Sequence, residues 1–172
     1  MEVRAATGAD ADAIERIRVR AWRVAYRHVF PPAELDAMPI DGSRWRERLL
    51  DPPAGWTTLV ATRGDEVVGF TALGPSRDGT PVGELYAIYV DPDSWSTGVG
   101  RALLEATEGV LAEAFGEATL WVLEENPRAR RFYESFGWTP DGGRQLFERY
   151  GVRAPEVRYR KTLESSSTRS RS

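Results

Sequence analysis

Apolar residues recur along the chain with two different periods, and the switches between them mark out the elements. Val3 to Ala5 reads as a short opening strand, and Thr7-Gly-Ala-Asp can cap a helix in which Ile14, Ile17, Ala21 and Ala25 repeat at helical spacing. Phe30-Pro-Pro ends that helix, and a less regular helical stretch runs through Leu35, Met38, Trp45, Leu49 and Leu50 to Pro52-Pro53. Thr57 to Arg63 and Glu66 to Leu73 are two strand-like runs separated by Gly64-Asp65, a two-residue hairpin signal. Gly74 to Pro81 is a loop, and Val82 to Val90 is a third, longer strand stopped by Asp91-Pro-Asp. Gly98 to Phe115 reads as a helix with Leu103, Leu104, Val110 and Leu111 facing inward. Ala118 to Leu123 is the next strand, Pro127 opens a short helix through Phe136, and Gly137 ends it. Gly142-Gly143 marks a further loop, and Glu156 to Leu163 is a final strand. No internal repeat is visible. Strands dominate early and alternate with helices late, so the pattern predicts an α/β (α+β) domain: a mixed central sheet with helices on both faces.

Size and composition narrow the chemistry. The 172 residues suit one domain able to bury a core, expected over 1–163, with 164–172 a disordered Ser/Arg tail. Hydrophobic residues at 41% and charged ones at 28% are those of a globular protein, and no apolar run reaches membrane-spanning length. No secretory signal pattern opens the sequence, so a cytoplasmic location is expected, with no membrane partner. The absence of cysteine excludes disulfides, thiolate metal sites and cysteine nucleophiles, and the single histidine, His28, excludes a multi-histidine metal centre. A net charge of −3 weighs against nucleic acid as a partner, although Arg128, Arg130, Arg131 and the Ser/Arg tail form local basic clusters.

The densest chemical signal is Val90-Asp-Pro-Asp-Ser-Trp-Ser-Thr-Gly-Val-Gly-Arg-Ala-Leu-Leu, a strand passing through a glycine-bearing loop into a helix. Gly98 and Gly100 allow close backbone approach, the first helical amides lack partners, and the helix dipole favours an anion. Taken alone, the same glycines could simply cap a helix. A P-loop is unsupported because no Gly-Lys-Ser/Thr follows, and Leu103 stands where a dinucleotide fingerprint needs its third glycine.

A second segment, Leu120-Trp-Val-Leu-Glu-Glu-Asn-Pro-Arg-Ala-Arg-Arg-Phe-Tyr-Glu-Ser-Phe-Gly-Trp, lies about thirty residues on. Together the two segments resemble the GNAT superfamily of N-acetyltransferases. The first is similar to its pyrophosphate-binding motif and the second to its Asn-x-x-Ala-x-x-Phe-Tyr-x-x-x-Gly-Phe signature, with Trp138 in the last aromatic place. The match is densest from Gly83 to Trp138 and looser over 2–163. One departure is that Trp95 stands where family members carry Gln or Arg, three residues before the first motif glycine.

The resemblance implies a single-domain GNAT-like fold with a V-shaped splay between the strands at 82–90 and 118–123. It implies acetyl-CoA as co-substrate, no metal, and direct transfer of the acetyl group to a primary amine of a small molecule or peptide in a ternary complex. The backbone from Ile88 through Tyr89 to Val90 would pair with the pantetheine arm. Amides of Ser96, Thr97, Gly98, Val99, Gly100 and Arg101 would hold the pyrophosphate, Asn126 would bond the arm, and Arg130 or Arg131 would meet the remaining phosphate. Tyr133 would assist departure of the thiolate, and Glu84, eleven residues before Trp95, would be the base, with Glu124 and Glu125 in reserve. A backbone amide near Val90 would stabilise the developing oxyanion.

Each of these residues also has a plainer reading: Asn126 as a helix cap, the arginines as a solvated face, Tyr133 as core packing, Glu84 as a solvated strand-end carboxylate. Trp22, Tyr26 and Tyr86 are the expected acceptor-site residues, with Trp56 and His28 as further candidates, His28 reading rather as a loop or capping residue. A non-catalytic acyl-CoA-binding protein on the same fold is the competing reading, and a homodimer is left open.

Overall fold

A computed structural model describes residues 1–165; of the expected tail, residues 166–172 lie outside the described part. The strands are β1 (Glu2–Ala5), β2 (Thr57–Arg63), β3 (Glu66–Pro75), β4 (Gly83–Val90), β5 (Glu117–Leu123), β6 (Thr139–Arg149) and β7 (Val152–Thr162). The helices are α1 (Ala11–Ala25), α2 (Pro32–Asp36), α3 (Ser43–Leu50), α4 (Val99–Ala112) and α5 (Pro127–Ser135). The strands form one sheet in the order β1-β2-β3-β4-β5-β7-β6, antiparallel throughout except for the parallel pair β4 and β5.

Alternation along the central strands decides which helix covers which face. Ile88 and Val90 of β4 point with Val68 of β3 towards Val99 and Leu103 of α4. Ala87 and Tyr89 point the other way, into a cluster with Ile14 and Ile17 of α1 and Phe70. On β5, Leu120 and Val122 join Leu104, Leu111, Tyr133 and the fully buried Trp138 beneath α4 and α5. Leu123 goes to the opposite side, with Val19, Trp22, Tyr26 and Phe30. The start of α1 is fixed by Asp10, which accepts from the Thr7 amide at 2.8 Å and is gripped by Arg4 at 2.8 and 2.9 Å. The Arg4 guanidinium holds the Asp10 carboxyl below the usual carboxylate range and ties β1 to α1.

One strand departs from the sequence-based expectation. β6 crosses Gly142-Gly143, where a loop was expected, and extends the last strand into a hairpin. Its residues are nearly all exposed, so no alternation announces it, and Pro140 is tolerated because β6 is the edge of the sheet. The glycines sit where the register shifts between Pro140 and Arg144. The hairpin turn uses Tyr150 (φ 52) and Gly151 (φ 72), a left-handed pair that the sequence Tyr-Gly signals less clearly than Asn-Gly would.

Two local features set the shape of the sheet's middle. β4 and β5 pair only at Gly83–Leu85 against Ala118–Leu120, and β3 meets β4 with a register shift that leaves Tyr86 as an extra residue. Such a bulge bends its strand and deepens the twist, here carrying β4 away from β5. α4 packs closely on β3 because Gly69 has no side chain. A Cβ there would lie 2.9 Å from Leu103 Cδ1 and 3.0 Å from Val99 Cγ1. Gly69→Ala is therefore expected to lower stability by about 1–3 kcal/mol through overpacking, read as a fall in the urea midpoint at unchanged m-value.

Candidate active site

The splay opens a cleft of about 1100 Å³, floored by Leu85 to Val90 on one side and by Trp121, Val122 and Leu123 on the other. Beyond Leu85 the two facing strand edges have no strand partner in each other, so backbone groups there are available to an extended ligand.

At one end of the cleft the chain turns sharply into α4. Ser96 (φ 60) and Gly98 (φ 90) are both left-handed, and Ala102 is the first residue to donate back into the helix, to Gly98 O at 3.1 Å. The amides of Val99, Gly100 and Arg101 are left without an intrahelical acceptor at the positive end of a 14-residue helix. No heavy atom stands within 4 Å of where a Gly98 Cβ would be, and Gly100 faces Phe132 of α5 across the gap. Ser94, Trp95, Ser96, Gly98, Gly100, Arg101, Arg128 and Arg131 line this end. A backbone cradle, open above its glycine and ringed by guanidinium groups, suits a diphosphate.

Of the two arginines named as alternatives for the remaining phosphate, one reaches the cleft. Arg131 lines the cleft, but Arg130 turns beneath it, donating to Tyr159 Oη at 3.1 Å and to Glu124 O at 3.2 Å. Arg128 also lines the cleft, its guanidinium 3.8 Å from the centroid of Trp95. Trp95 also donates its indole N–H to Val90 O at 2.9 Å, so that carbonyl, expected to face a ligand, already has a partner. Thr97 points away from the cleft, its hydroxyl donating to Ser94 O and receiving Arg63, and Val99 is fully buried under the sheet. Both can contribute backbone only. The loop before α4 is anchored from α1, since Arg20 donates to Asp91 at 2.6 Å and to Asp93 at 2.8 Å.

Tyr133 and Asn126 line the middle of the cleft from α5. Asn126 is also the expected cap, its side-chain oxygen accepting from Ala129 N at 3.1 Å. Tyr133 packs among Phe132, Trp138 and Tyr159. Burial, with the nearby Tyr89, raises the Tyr133 phenol well above the ordinary tyrosine value, so it is protonated at neutral pH. Core packing and a cleft-facing phenol thus coexist in one side chain.

The other end of the cleft is aromatic. Trp22, Tyr26, Tyr86, Trp121 and Phe147 line it, with His28, Arg77, Gln145 and Glu156 between them. Trp22 and Tyr26 are largely core residues presenting an edge, and the Trp22 indole N–H donates to the hydroxyl of the half-buried Tyr89 at 2.9 Å. Tyr86 caps Pro75 O, and burial followed by the Glu84 charge pushes its phenol up to about 12. Trp56 stacks on Tyr86 from outside the cleft, at 4.2 Å between ring centroids. His28 holds its loop to the end of β5, Nε2–H donating to Glu125 O.

The carboxylates expected as bases lie elsewhere. Glu84 is 2% exposed and is not among the residues lining the cleft. It is buried rather than solvated at its strand end. Its oxygens accept from Arg77 N at 2.8 Å, Arg77 Nε at 3.0 Å and Arg77 Nη2 at 2.5 Å, which fixes the loop before β4. Glu124 pairs with Arg144, and Glu125 is exposed; neither lines the cleft. Among the described residues no group of three or more His, Asp or Glu side chains could hold a metal ion, and no helix is long and apolar enough to cross a membrane.

Comparison with known proteins agrees with this geometry. The model of the acetyltransferase (GNAT) family matches residues 13–138. The chain is 33% identical over 161 residues to the uncharacterized N-acetyltransferase YuaI of Bacillus subtilis, a match covering 90% of this chain and 89% of that one. Among solved structures, the ribosomal-protein-alanine N-acetyltransferase of Brucella melitensis superposes with a TM-score of 0.73 at 24% identity, over 95% of this chain and 100% of that one. The structure of yncA from Salmonella typhimurium with its cofactor acetyl-CoA gives a TM-score of 0.73 at 21% identity, over 96% and 95%. These two structural likenesses carry the fold.

The cradle generates a test. Gly98→Glu would place a chain and a negative charge in the open space before α4. Calorimetry should show coenzyme A affinity weakened by more than about 100-fold, close to 3 kcal/mol. The cost to the fold should stay near 1–2 kcal/mol, for a left-handed non-glycine residue.

Proposed function

The chain belongs to the acetyltransferase (GNAT) family and is an acetyl-CoA-dependent N-acetyltransferase, and from that premise we propose that it transfers acetyl directly to a primary amine of a small molecule or peptide. The observation that carries the proposal is the single cleft joining a phosphate cradle at one end to an aromatic pocket at the other, with Tyr133 between them. Such an arrangement lets two substrates meet end to end, so no covalent enzyme intermediate is needed.

Acetyl-CoA brings an activated thioester carbonyl and a thiol leaving group; the chain positions them and moves protons. The free amides of Val99, Gly100 and Arg101, with the guanidinium groups of Arg101, Arg128 and Arg131, would neutralise the phosphates. The unpaired edges of β4 and β5 would hold the amide-rich arm between them, which points its far end at the aromatic pocket. The raised phenol of Tyr133 keeps its proton at working pH and can give it to the departing sulfur. Trp22, Tyr26, Tyr86, Trp121 and Phe147 would exclude water around the acceptor and pack its apolar part.

Thiol release from acetyl-CoA against a panel of amines and N-terminal peptides tests the reading: transfer to at least one class is expected, and none with well-folded protein would overturn it. Tyr133→Phe keeps the ring and removes the proton. In single turnover at saturating acetyl-CoA the rate should fall by roughly 10²-fold, the scale of a positioned acid, with acetyl-CoA affinity and melting temperature nearly unchanged. Wild-type turnover in that variant would make Tyr133 a packing residue alone.

A further inference from the structure

Amine acetylation requires that the acceptor, an ammonium ion in neutral water, lose a proton before its nitrogen can attack. A side chain suited to receive that proton near neutral pH is a carboxylate or imidazole reaching the acceptor end of the cleft. Two candidates reach it, His28 and Glu156. His28 has its Nε2 committed to Glu125 O.

Glu156 sits in β7, opposite Leu123 of β5 and opposite Gln145 of β6, where the splayed β5 borders the pocket. It is partly buried, and the Gln145 side chain donates to Oε2 at 2.6 Å, which orients the carboxylate without neutralising it. Trp121, one residue before Val122 on β5, and Phe147 of β6 line the same pocket wall. A half-buried carboxylate between aromatic rings is a setting that attracts an ammonium group.

Resting on the acetyl-transfer reading above, we infer that Glu156 is the catalytic base, taking the proton of the acceptor ammonium, while Glu84 is a positioning residue that holds Arg77. In the transfer the N–H bond breaks with its electron pair kept on nitrogen, and the proton goes to Glu156. That pair forms the C–N bond, the C–S bond breaks with its electrons on sulfur, and sulfur takes the Tyr133 proton. A second nitrogen proton, lost as the amide forms, restores Tyr133. The proton on Glu156 passes to solvent, leaving amide, thiol and one proton as products.

The electrostatics agree with this geometry. Burial raises the Glu156 carboxyl above its ordinary value; the Gln145 hydrogen bond and the Arg77 charge lower it, and the Glu84 charge raises it. Tyr89, from β4, feels the Glu156 charge, and Tyr26 and His28, at and after the end of α1, and Tyr86 of β4 are further titratable groups lining the same cleft. A raised carboxyl brings the base nearer to neutrality, where it still ionises but holds a proton better than a solvated carboxylate. The sign is fixed: the base works when deprotonated, so kcat/KM should fall as pH drops through that raised value.

The test compares wild type, Glu156→Gln and Glu84→Gln with the best amine from the panel. Gln at 156 keeps the shape and can still accept from Gln145. Expected for Glu156→Gln are a loss of about 10²-fold in kcat/KM at neutral pH, recovery as pH rises towards the amine's own ionisation, and no acid limb from the enzyme. Calorimetry with the coenzyme A complex should show weaker binding of the ammonium form, with coenzyme A affinity and melting temperature near those of wild type. Equal kcat/KM profiles for wild type and Glu156→Gln would overturn the inference and leave acetyl transfer intact. Loss of the acid limb in Glu84→Gln instead of Glu156→Gln would return the role to Glu84. No transfer by wild type to any amine would remove the acetyl-transfer reading and the inference together.

Discussion

The architecture depends on a pairing that stops. Two neighbouring parallel strands share three residues of register, Gly83–Leu85 with Ala118–Leu120, and then part. Unpaired backbone in a sheet interior is unfavourable unless something else satisfies it, so the gap is a standing demand for a ligand with alternating donors and acceptors. The rest of the molecule keeps the gap open without letting the sheet fall apart. The extra residue at Tyr86 turns β4 outward, β7 pairs with β5 along its full length on the edge away from β4, and α4 and α5 brace the parted strands from one face through Leu104, Leu111 and Tyr133.

Much of this was legible from residue order. The elements flanking the gap are those whose apolar residues form continuous strand-length runs or a helical stripe, so β2 to β5, α1, α4 and α5 follow from the pattern. The turn into α4 was legible too, because its shape rests on backbone and needs glycine at a left-handed position, as at Gly98. What the sequence hid was decided by side chains meeting across the fold. β6 carries no apolar stripe, since an edge strand with two open faces has nothing to bury, and without β6 the pairing that places Gln145 beside Glu156 is invisible. Glu84 is one carboxylate among many until Arg77 folds back on it. The swap of Arg128 for Arg130 at the cleft turns on α5's rotation, which the cluster of arginines leaves undetermined.

Trp95 shows how a departure from a family pattern can be absorbed. The side chain that replaces a polar residue still supplies one N–H, spent on Val90 O, and offers a ring face on which Arg128 lies. Burial lowers the Arg128 pKa, yet a guanidinium remains charged at any physiological pH, so the cleft mouth keeps its cation. The carbonyl of Val90 is thereby paired within the chain.

Arg20 grips both Asp91 and Asp93 from the helix that also presents Trp22 and Tyr26 to the opposite end of the cleft. The loop before α4 and the helix that presents part of the aromatic wall are therefore joined through one guanidinium. A ligand that shifts the loop moves the point on which α1 leans, and by linkage an acceptor that shifts α1 acts back on the loop with the same free energy.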